Sequence, residues 1–354
     1  MSKLLTIVIP AYNSEKTIND ALASLDYTYK SYFNVLIVDD GSKSSLKSHI
    51  KNWLINYSSV ITCVRQRNTG WGGVINFAIK NVKTKFVKVL DSDDTVNISD
   101  FGKYIKNLIT LSTKKVDAVV TNYFFKNGTT NNKIMRKYNN KNRLIISSLD
   151  DKKWIKLLTV HAFTWNTSFL NKKIKPLPLK ILFTDNILIF QTVMHSKTIA
   201  IMPSNIVLYE YKIGTKDQSM SWANMFKSVA KLKHILYYLL EFSINDFRGK
   251  RLQTLVGIVK SMLYLIVLVI SNDEQLYFWQ KQKQYQMVIS HFKSIHYPWA
   301  IRLKLSSLYK LMMTNNSYPL IHVINKIAPR IAASGYLKQL KYTFKKSKAK
   351  QQAI

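Results

Sequence analysis

The sequence predicts an α/β fold: a mostly parallel central sheet with helices on both faces, followed by a helical C-terminal region. Three observations predict it. Strand-like and helix-like segments alternate through roughly the first 125 residues. One of these segments, Asn34–Asp39 (NVLIVD), is apolar without alternation, as expected of a strand buried on both faces. Beyond Trp222 the apolar periodicity turns helical.

The elements follow in order. Leu4–Pro10 reads as a buried strand, and Ser14–Leu25 as a helix with a Ser at its start. Asn34–Asp39 is the second strand, Gly41–Ser42 turns the chain, and Ser44–Tyr57 reads as one helix. Val60–Val64 is the third strand, Gly73–Val82 a helix, Phe86–Leu90 the fourth strand, Ser99–Leu111 a helix and Ala118–Tyr123 the fifth strand. Such a βαβ succession takes right-handed crossovers and binds ligands beyond the carboxyl ends of its strands. Lys126–Asn142 is polar and basic, a long loop or exposed hairpin, and Ile199–Tyr211 returns to strand character. Phe226, Val229, Leu232, Leu236, Leu239 and Leu240 form one helical stripe, with Lys227 and Lys231 opposite. The expected division is 1–125, 126–222 and a basic, mainly helical 223–354.

The charge is unusual. Against 53 Lys+Arg stand 19 Asp+Glu, a net +34 in 354 residues. Gln275–Ile354 contains no acidic residue, so the back of the chain is a strongly basic stretch ending in a solvated tail, Phe344–Ile354. Such a charge calls for an anionic partner, which composition alone leaves open among nucleic acid, an acidic bilayer and a phosphorylated substrate. The single cysteine, Cys63, excludes a disulfide scaffold and a multi-cysteine metal centre. Leu252–Ser271 has the length of a membrane span but carries Lys260 near its middle, so a buried or membrane-surface helix is expected.

The acidic residues that stand out lie in the front half. Asp39 and Asp40 end the second strand in VDDGS. A carboxylate there can accept from a sugar hydroxyl or a base N–H, or serve the turn before Gly41. Asp91, Asp93 and Asp94 follow the fourth strand in DSDD. Three carboxylates in four positions repel unless a cation neutralises them, and hard oxygen ligands suit Mg²⁺ or Mn²⁺. The glycines of NTGWGG (Asn68–Gly73) open a helix whose amides can approach an anion, or form an ordinary strand-to-helix turn. They match neither a dinucleotide-binding fingerprint nor a P-loop. Asp185 sits ahead of an apolar helical run, where either it or Thr184 can cap the helix. His161 is read as a core or surface histidine or a site residue. No arrangement for a Ser, Cys or Lys nucleophile is visible.

Together, IPAYN (Ile9–Asn13), VDDGS (Val38–Ser42), NTGWGGVINFAI (Asn68–Ile79) and KVLDSDD (Lys88–Asp94) resemble the family 2 glycosyltransferases of the GT-A fold. HAFTWNTSFL (His161–Leu170), FTDNILIF (Phe183–Phe190) and YEYKIGTKDQSMS (Tyr209–Ser221) resemble later motifs of a bacterial, polysaccharide-type branch, and the resemblance covers Lys3 to Trp222. It implies a nucleotide-sugar donor, an inverting transfer and a divalent cation, Mn²⁺ or Mg²⁺. By motif, Pro10, Tyr12 and Asp39 would surround the base, with Asn76, Asp91 and Ser92 among the donor contacts. Asp93, with Asp91, would bind the metal, and Asp185 would be the catalytic base. His161, Gln218 and Ser219 are candidate acceptor or loop contacts. Ile75 stands where many members carry Arg, leaving that donor contact absent or to Arg65 or Arg67, and Trp71 stands where a related branch often has His. The acceptor implied is a glycan, a lipid-linked glycan or a teichoic-acid-like polymer. With this much basic surface, the chain is expected on the cytoplasmic face of an anionic membrane and not on nucleic acid. A nucleic-acid-binding protein and a nucleotidyltransferase on a related sheet are the alternatives.

Overall fold

The computed structural model describes residues 3–127, 133–148, 159–213, 228–242, 247, 249–271 and 278–295. The chain divides into two compact units, 1–213 with 249–251, and 214–248 with 252–354.

The first unit holds an eight-stranded sheet in the order β3-β2-β1-β4-β10-β6-β11-β9. Its strands are β1 (Leu5–Ala11), β2 (Phe33–Asp39), β3 (Ile61–Arg65), β4 (Phe86–Val89), β6 (Ala118–Val120), β9 (Ile145–Ser148), β10 (Phe163–Asn166) and β11 (Thr198–Ile201). β1 to β4 pair in parallel, as the apolar runs predict. The fifth strand, β6, does not join β4 directly. β10 runs antiparallel between them, and β11 and β9 complete the sheet. A second sheet, β5-β12-β7-β8, joins β5 (Thr95–Val96), β12 (Val207–Ile213), β7 (Asn122–Asn127) and β8 (Lys133–Arg136). The fifth strand read at Ala118–Tyr123 and the stretch of strand character at Ile199–Tyr211 are each divided between the two sheets. β7 and β8 pair antiparallel, Tyr123 with Arg136 to Lys126 with Lys133, so strand structure enters the polar stretch 126–142.

The helices of this unit are α1 (Ile18–Ala23), α2 (Leu46–His49), α3 (Lys51–Asn56), α4 (Gly70–Asn81), α5 (Ile98–Leu111), α6 (Thr167–Lys173) and α7 (Asp185–His195). The expected helix at Ser44–Tyr57 is broken at Ile50, whose φ of −109° and ψ of 18° are not helical, into α2 and α3. α5 shows why the helices form. Phe101, Tyr104, Ile105, Leu108 and Leu111 recur at helical spacing and all are buried. Each such side chain contributes about 1.5–3 kcal/mol by leaving water.

The register fixes the site. Ala11 pairs with Asp39, and Asp39 with Arg65, so β1, β2 and β3 end at one level. Leu90 donates to the Val8 carbonyl, which carries β4 to the same edge and releases Asp91 there.

The second unit is helical where described: α8 (Val229–Leu240), most of α9 (Gly249–Ser271) and α10 (Phe278–Ile295). Leu232, Ile235, Leu236, Leu239 and Leu240 are the buried stripe of α8, with Lys231 exposed. Among the described residues no helix is long and apolar enough to cross a membrane. Phe226, Lys227, the tail and the other positions beyond Ile295 lie outside the described residues.

Candidate active site

Asp91, Asp94 and His161 come together at the carboxyl edge of β4. One ligand atom from each lies within 4.8 Å of the others. Asp91 is bonded from two sides: Trp71 Nε1 donates to its Oδ1 at 3.1 Å, and its backbone N–H donates to the Tyr209 hydroxyl at 3.1 Å. That hydroxyl in turn donates to Asp94 Oδ2 at 2.7 Å, while the Lys212 N–H donates to Asp94 Oδ1 at 2.7 Å. Asp94 therefore pins β12 of the second sheet to the end of β4. Ser92 shares a 2.7 Å hydrogen bond with the Ser14 hydroxyl, tying the same loop to the end of β1.

His161 lies in a 3-10 turn ahead of β10. Its ring stacks on Tyr211, with centroids 4.3 Å apart and planes 22° apart. Its Nδ1 is buried without a hydrogen-bond partner, 3.9 Å from Asp91 Oδ2. Burial and then the nearby Lys88 ammonium push its pKa down to about 3, so the imidazole is neutral. Lys88 is itself buried in β4. Its ammonium donates to the carbonyls of His161 (3.0 Å) and Phe163 (3.2 Å) and lies 5.3 Å from the centre of the Tyr209 ring. Desolvation lowers its pKa to about 7, partly opposed by Asp91.

The carboxylates repel as their spacing implies. Asp91 is raised to about 7, first by burial, then by Asp93 and Asp185, against the Trp71 hydrogen bond. Asp94 is raised well above the ordinary range by burial and by the charges of Asp93 and Asp91. Asp93 is half-buried beside this cluster. Asp185 opens α7 close enough for its charge to act on Asp91, and burial raises its own pKa to about 6. Thr184 occupies the N-cap, but its hydroxyl makes no capping bond.

Asp39 and Asp40 divide their work. Asp39 Oδ1 accepts the Ser42 N–H at 2.9 Å, the turn role, and its Oδ2 faces Arg65 at 3.9 Å. Asp40 is buried and faces α4. Its oxygens accept the backbone N–H groups of Thr69 (2.8 Å) and Gly70 (2.7 Å), and the Gln66 amide at 2.7 Å. The start of α4 thus already holds a carboxylate of its own chain. Chain also fills the space over its glycines. A Cβ on Gly72 would lie 2.4 Å from the Pro178 carbonyl oxygen, and one on Gly73 2.1 Å from Thr69 Oγ1. NTGWGG is a packing seat in this structure, not an open anion cradle.

Pro10, the penultimate residue of β1, is half-buried, and Tyr12 just beyond the strand is 51 % exposed, on the same edge as Asp39. Asn76 is turned to residues 177–178 by two hydrogen bonds with Leu177. Gln218, Ser219 and Ser221 lie outside the described residues. Sequence reasoning put Asp94 in the carboxylate cluster but did not identify its bonds to β12, nor the parts played by Asp40, Trp71, Tyr209 and Lys88. Lys88 carried a signal, as a lysine inside an otherwise apolar strand run (FVKVL). Tyr209 carried none, because its role depends on pairing in a second sheet.

A carboxylate-rich strand edge on this sheet order defines the class. The fold is that of the GT-A glycosyltransferases: S. aureus TarS (residues 1–349, with UDP-GlcNAc) superposes with a TM-score of 0.64 over 88% of this chain and 86% of that one, at 17% identity. Residues 6–174 match the glycosyl transferase family 2 model, so the chain carries a family 2 glycosyltransferase domain. An uncharacterized glycosyltransferase of Mycoplasma genitalium is 40% identical over 106 residues, 28% of this chain and 35% of that protein. The dolichyl-phosphate beta-glucosyltransferase ALG5A of Trichomonas vaginalis is 31% identical over 127 residues, 34% of this chain and 39% of that protein. The chain thus spans little more than a third of the length of these curated relatives.

Proposed function

We propose that the chain is an inverting, metal-dependent glycosyltransferase that moves a sugar from a nucleotide-sugar donor to a hydroxyl of a glycan, a lipid-linked glycan or a teichoic-acid-like acceptor. One observation carries this proposal: Asp185, from α7, lies in electrostatic reach of Asp91 at the end of β4, with His161 and Asp94 beside it. A base and a cation-binding cluster stand together at a strand edge suited to a nucleotide.

Asp185 would accept the proton of the acceptor hydroxyl as that oxygen attacks the anomeric carbon. The bond to the diphosphate breaks on the opposite face, which inverts the anomeric configuration. A carboxyl raised to about 6 by burial is a stronger base than a free Asp and is still mostly ionised at neutral pH. No covalent intermediate with the protein is needed. Pro10, Tyr12 and Asp39 would hold the base and Ser92 the donor beside Asp91.

The residues present fit a divalent cation. His161 is neutral and presents a buried, unpartnered nitrogen next to two carboxylates. Asp91, Asp94 and His161 would hold the ion, with Asp93 the further carboxylate that the family resemblance implies. Mixed imidazole and carboxylate ligands suit Mn²⁺. When bound, it supplies Lewis-acid neutralisation of the departing diphosphate.

The acid-free stretch from Gln275 would dock the enzyme on an anionic membrane, on its cytoplasmic face, each Lys or Arg near the surface contributing about 1 kcal/mol. The function is tested by incubating the full chain with UDP- and GDP-sugars and Mn²⁺. Release of a nucleoside diphosphate supports glycosyl transfer. Release of pyrophosphate from a nucleoside triphosphate, with none from nucleotide sugars, would make it a nucleotidyltransferase.

A further inference from the structure

Asp185 is delivered by the connection between α6 and α7, and two side-chain amides clamp that connection. Asn76, on α4, donates from Nδ2 to the Leu177 carbonyl at 2.8 Å and accepts the Leu177 N–H on Oδ1 at 2.8 Å. Gln191, fully buried on α7, accepts the Lys175 N–H at 2.7 Å and donates to the Lys175 carbonyl at 3.3 Å. Each amide satisfies both backbone groups of one residue, as a neighbouring strand would.

Between the clamp and Asp185 the chain lies on the glycine face of α4. Lys180, at φ +56°, donates its N–H to the Thr69 carbonyl at 2.7 Å. A Cβ on Gly70 would come within 3.0 Å of Lys180, and one on Gly72 would meet the Pro178 carbonyl and, at 3.4 Å, Thr184 Oγ1. Phe183 then turns at φ +66° and α7 begins. Two residues held in the left-handed region persist only where surrounding contacts impose them. At this same N-terminal end α4 is fixed by Asp40, the residue after β2. An unbroken run of bonds therefore leads from the end of β2, through Asp40, α4 and Asn76, to the segment that presents Asp185.

We propose that Asn76 is a positioning residue for Asp185, holding the 177–184 connection on the glycine face of α4, and not a donor contact. The proposal rests on Asp185 being the base. Both side-chain groups of Asn76 are already used by Leu177, and the glycines beside it receive chain and not ligand. Positional errors near 1 Å cost turnover heavily while leaving nucleotide binding intact.

The test uses the full chain as Asn76→Ala, with Asn76→Asp as a second variant of near-equal size that lacks the donor to the Leu177 carbonyl. Amide exchange at Leu177 should quicken by about tenfold or more, since its N–H loses its acceptor in Asn76→Ala. With UDP- and GDP-sugars as probes, kcat should fall by about 10- to 100-fold with KM within about threefold. Calorimetric affinities for UDP, GDP and Mn²⁺ should stay within about twofold of the unmodified chain. Unchanged exchange at Leu177 with weakened nucleotide affinity would overturn the proposal and make Asn76 a donor contact. Asp185→Asn separates the two ideas. If that variant keeps full turnover, the base assignment fails. The exchange and affinity results then still decide whether Asn76 clamps the connection or binds the donor.

Discussion

Trp71 donates its indole N–H to Asp91 Oδ1 across 3.1 Å, from the first turn of α4 to the end of β4. This bond opposes the burial and the charges of Asp93 and Asp185 that raise Asp91 to about 7. Trp71→Phe keeps the ring bulk and removes the bond. Asp91 should then hold its proton more tightly, and Mn²⁺ affinity at pH 7 should fall by about 3- to 10-fold, as a net hydrogen bond to a charged group allows. Calorimetric titration of Mn²⁺ checks this, and an unchanged affinity would separate Trp71 from cation binding.

His161→Ala removes the one neutral nitrogen in the cluster. Mn²⁺ affinity should fall by about 10- to 100-fold, while Ca²⁺, which prefers all-oxygen sites, should be affected far less. Asp93→Ala in the same titration measures the carboxylate that the family resemblance puts forward. A larger loss from Asp93→Ala than from His161→Ala would shift the ion toward Asp93.

Asp40→Ala should act on the fold. Its carboxylate serves two backbone N–H groups at the start of α4, and both would lose a buried acceptor. The expected cost is about 2–4 kcal/mol in chemical denaturation. Asp39→Ala loses only the Ser42 turn bond and the more distant Arg65 pairing, and should cost clearly less stability.

The basic C-terminal stretch should bind anionic liposomes in a salt-dependent way. Co-sedimentation of the full chain and of a chain ending at Ser271 makes the comparison. Loss of binding in the shorter chain places the dock in the acid-free stretch. Equal binding by both places it elsewhere.

The sheet's first four strands were legible because each is a local apolar run with turn residues at its ends. β10 was not, since FTWN is four residues long and gains its strand character only by filling the gap between β4 and β6. The division of Ala118–Tyr123 between two sheets was hidden because the run is nearly continuous and changes partner in space, whereas Ile199–Tyr211 is broken locally by the turn at Pro203–Ile206. Within the site, DSDD stood out because three clustered carboxylates repel unless something neutralises them, whereas Asp185 read alone as a helix cap and was singled out only by the family resemblance. Trp71, Tyr209 and the neutral state of His161 arise from contacts between residues distant in sequence, and no local pattern encodes them. The glycine-rich stretch was ambiguous in sequence because glycine serves anions and close chain packing equally well. Here Pro178 and Lys180 take the space.

The most direct test of the central claim is the pH dependence of nucleoside diphosphate release by the full chain and by Asp185→Asn, with Mn²⁺ present. Asp185 must be ionised to act, so kcat should rise with pH through an apparent pKa near 6 and level off above it. The variant should lose turnover by about a hundredfold or more and lose that limb. Its stability should move oppositely. A folded pKa raised above the unfolded value of 3.8 stabilises the fold at low pH and is lost as pH rises through about 6, so Asp185→Asn should be the more stable protein at pH 8 and no more stable at pH 4. Full activity in the variant, or a limb near pH 6 that survives the substitution, would contradict the assignment of Asp185 as the base.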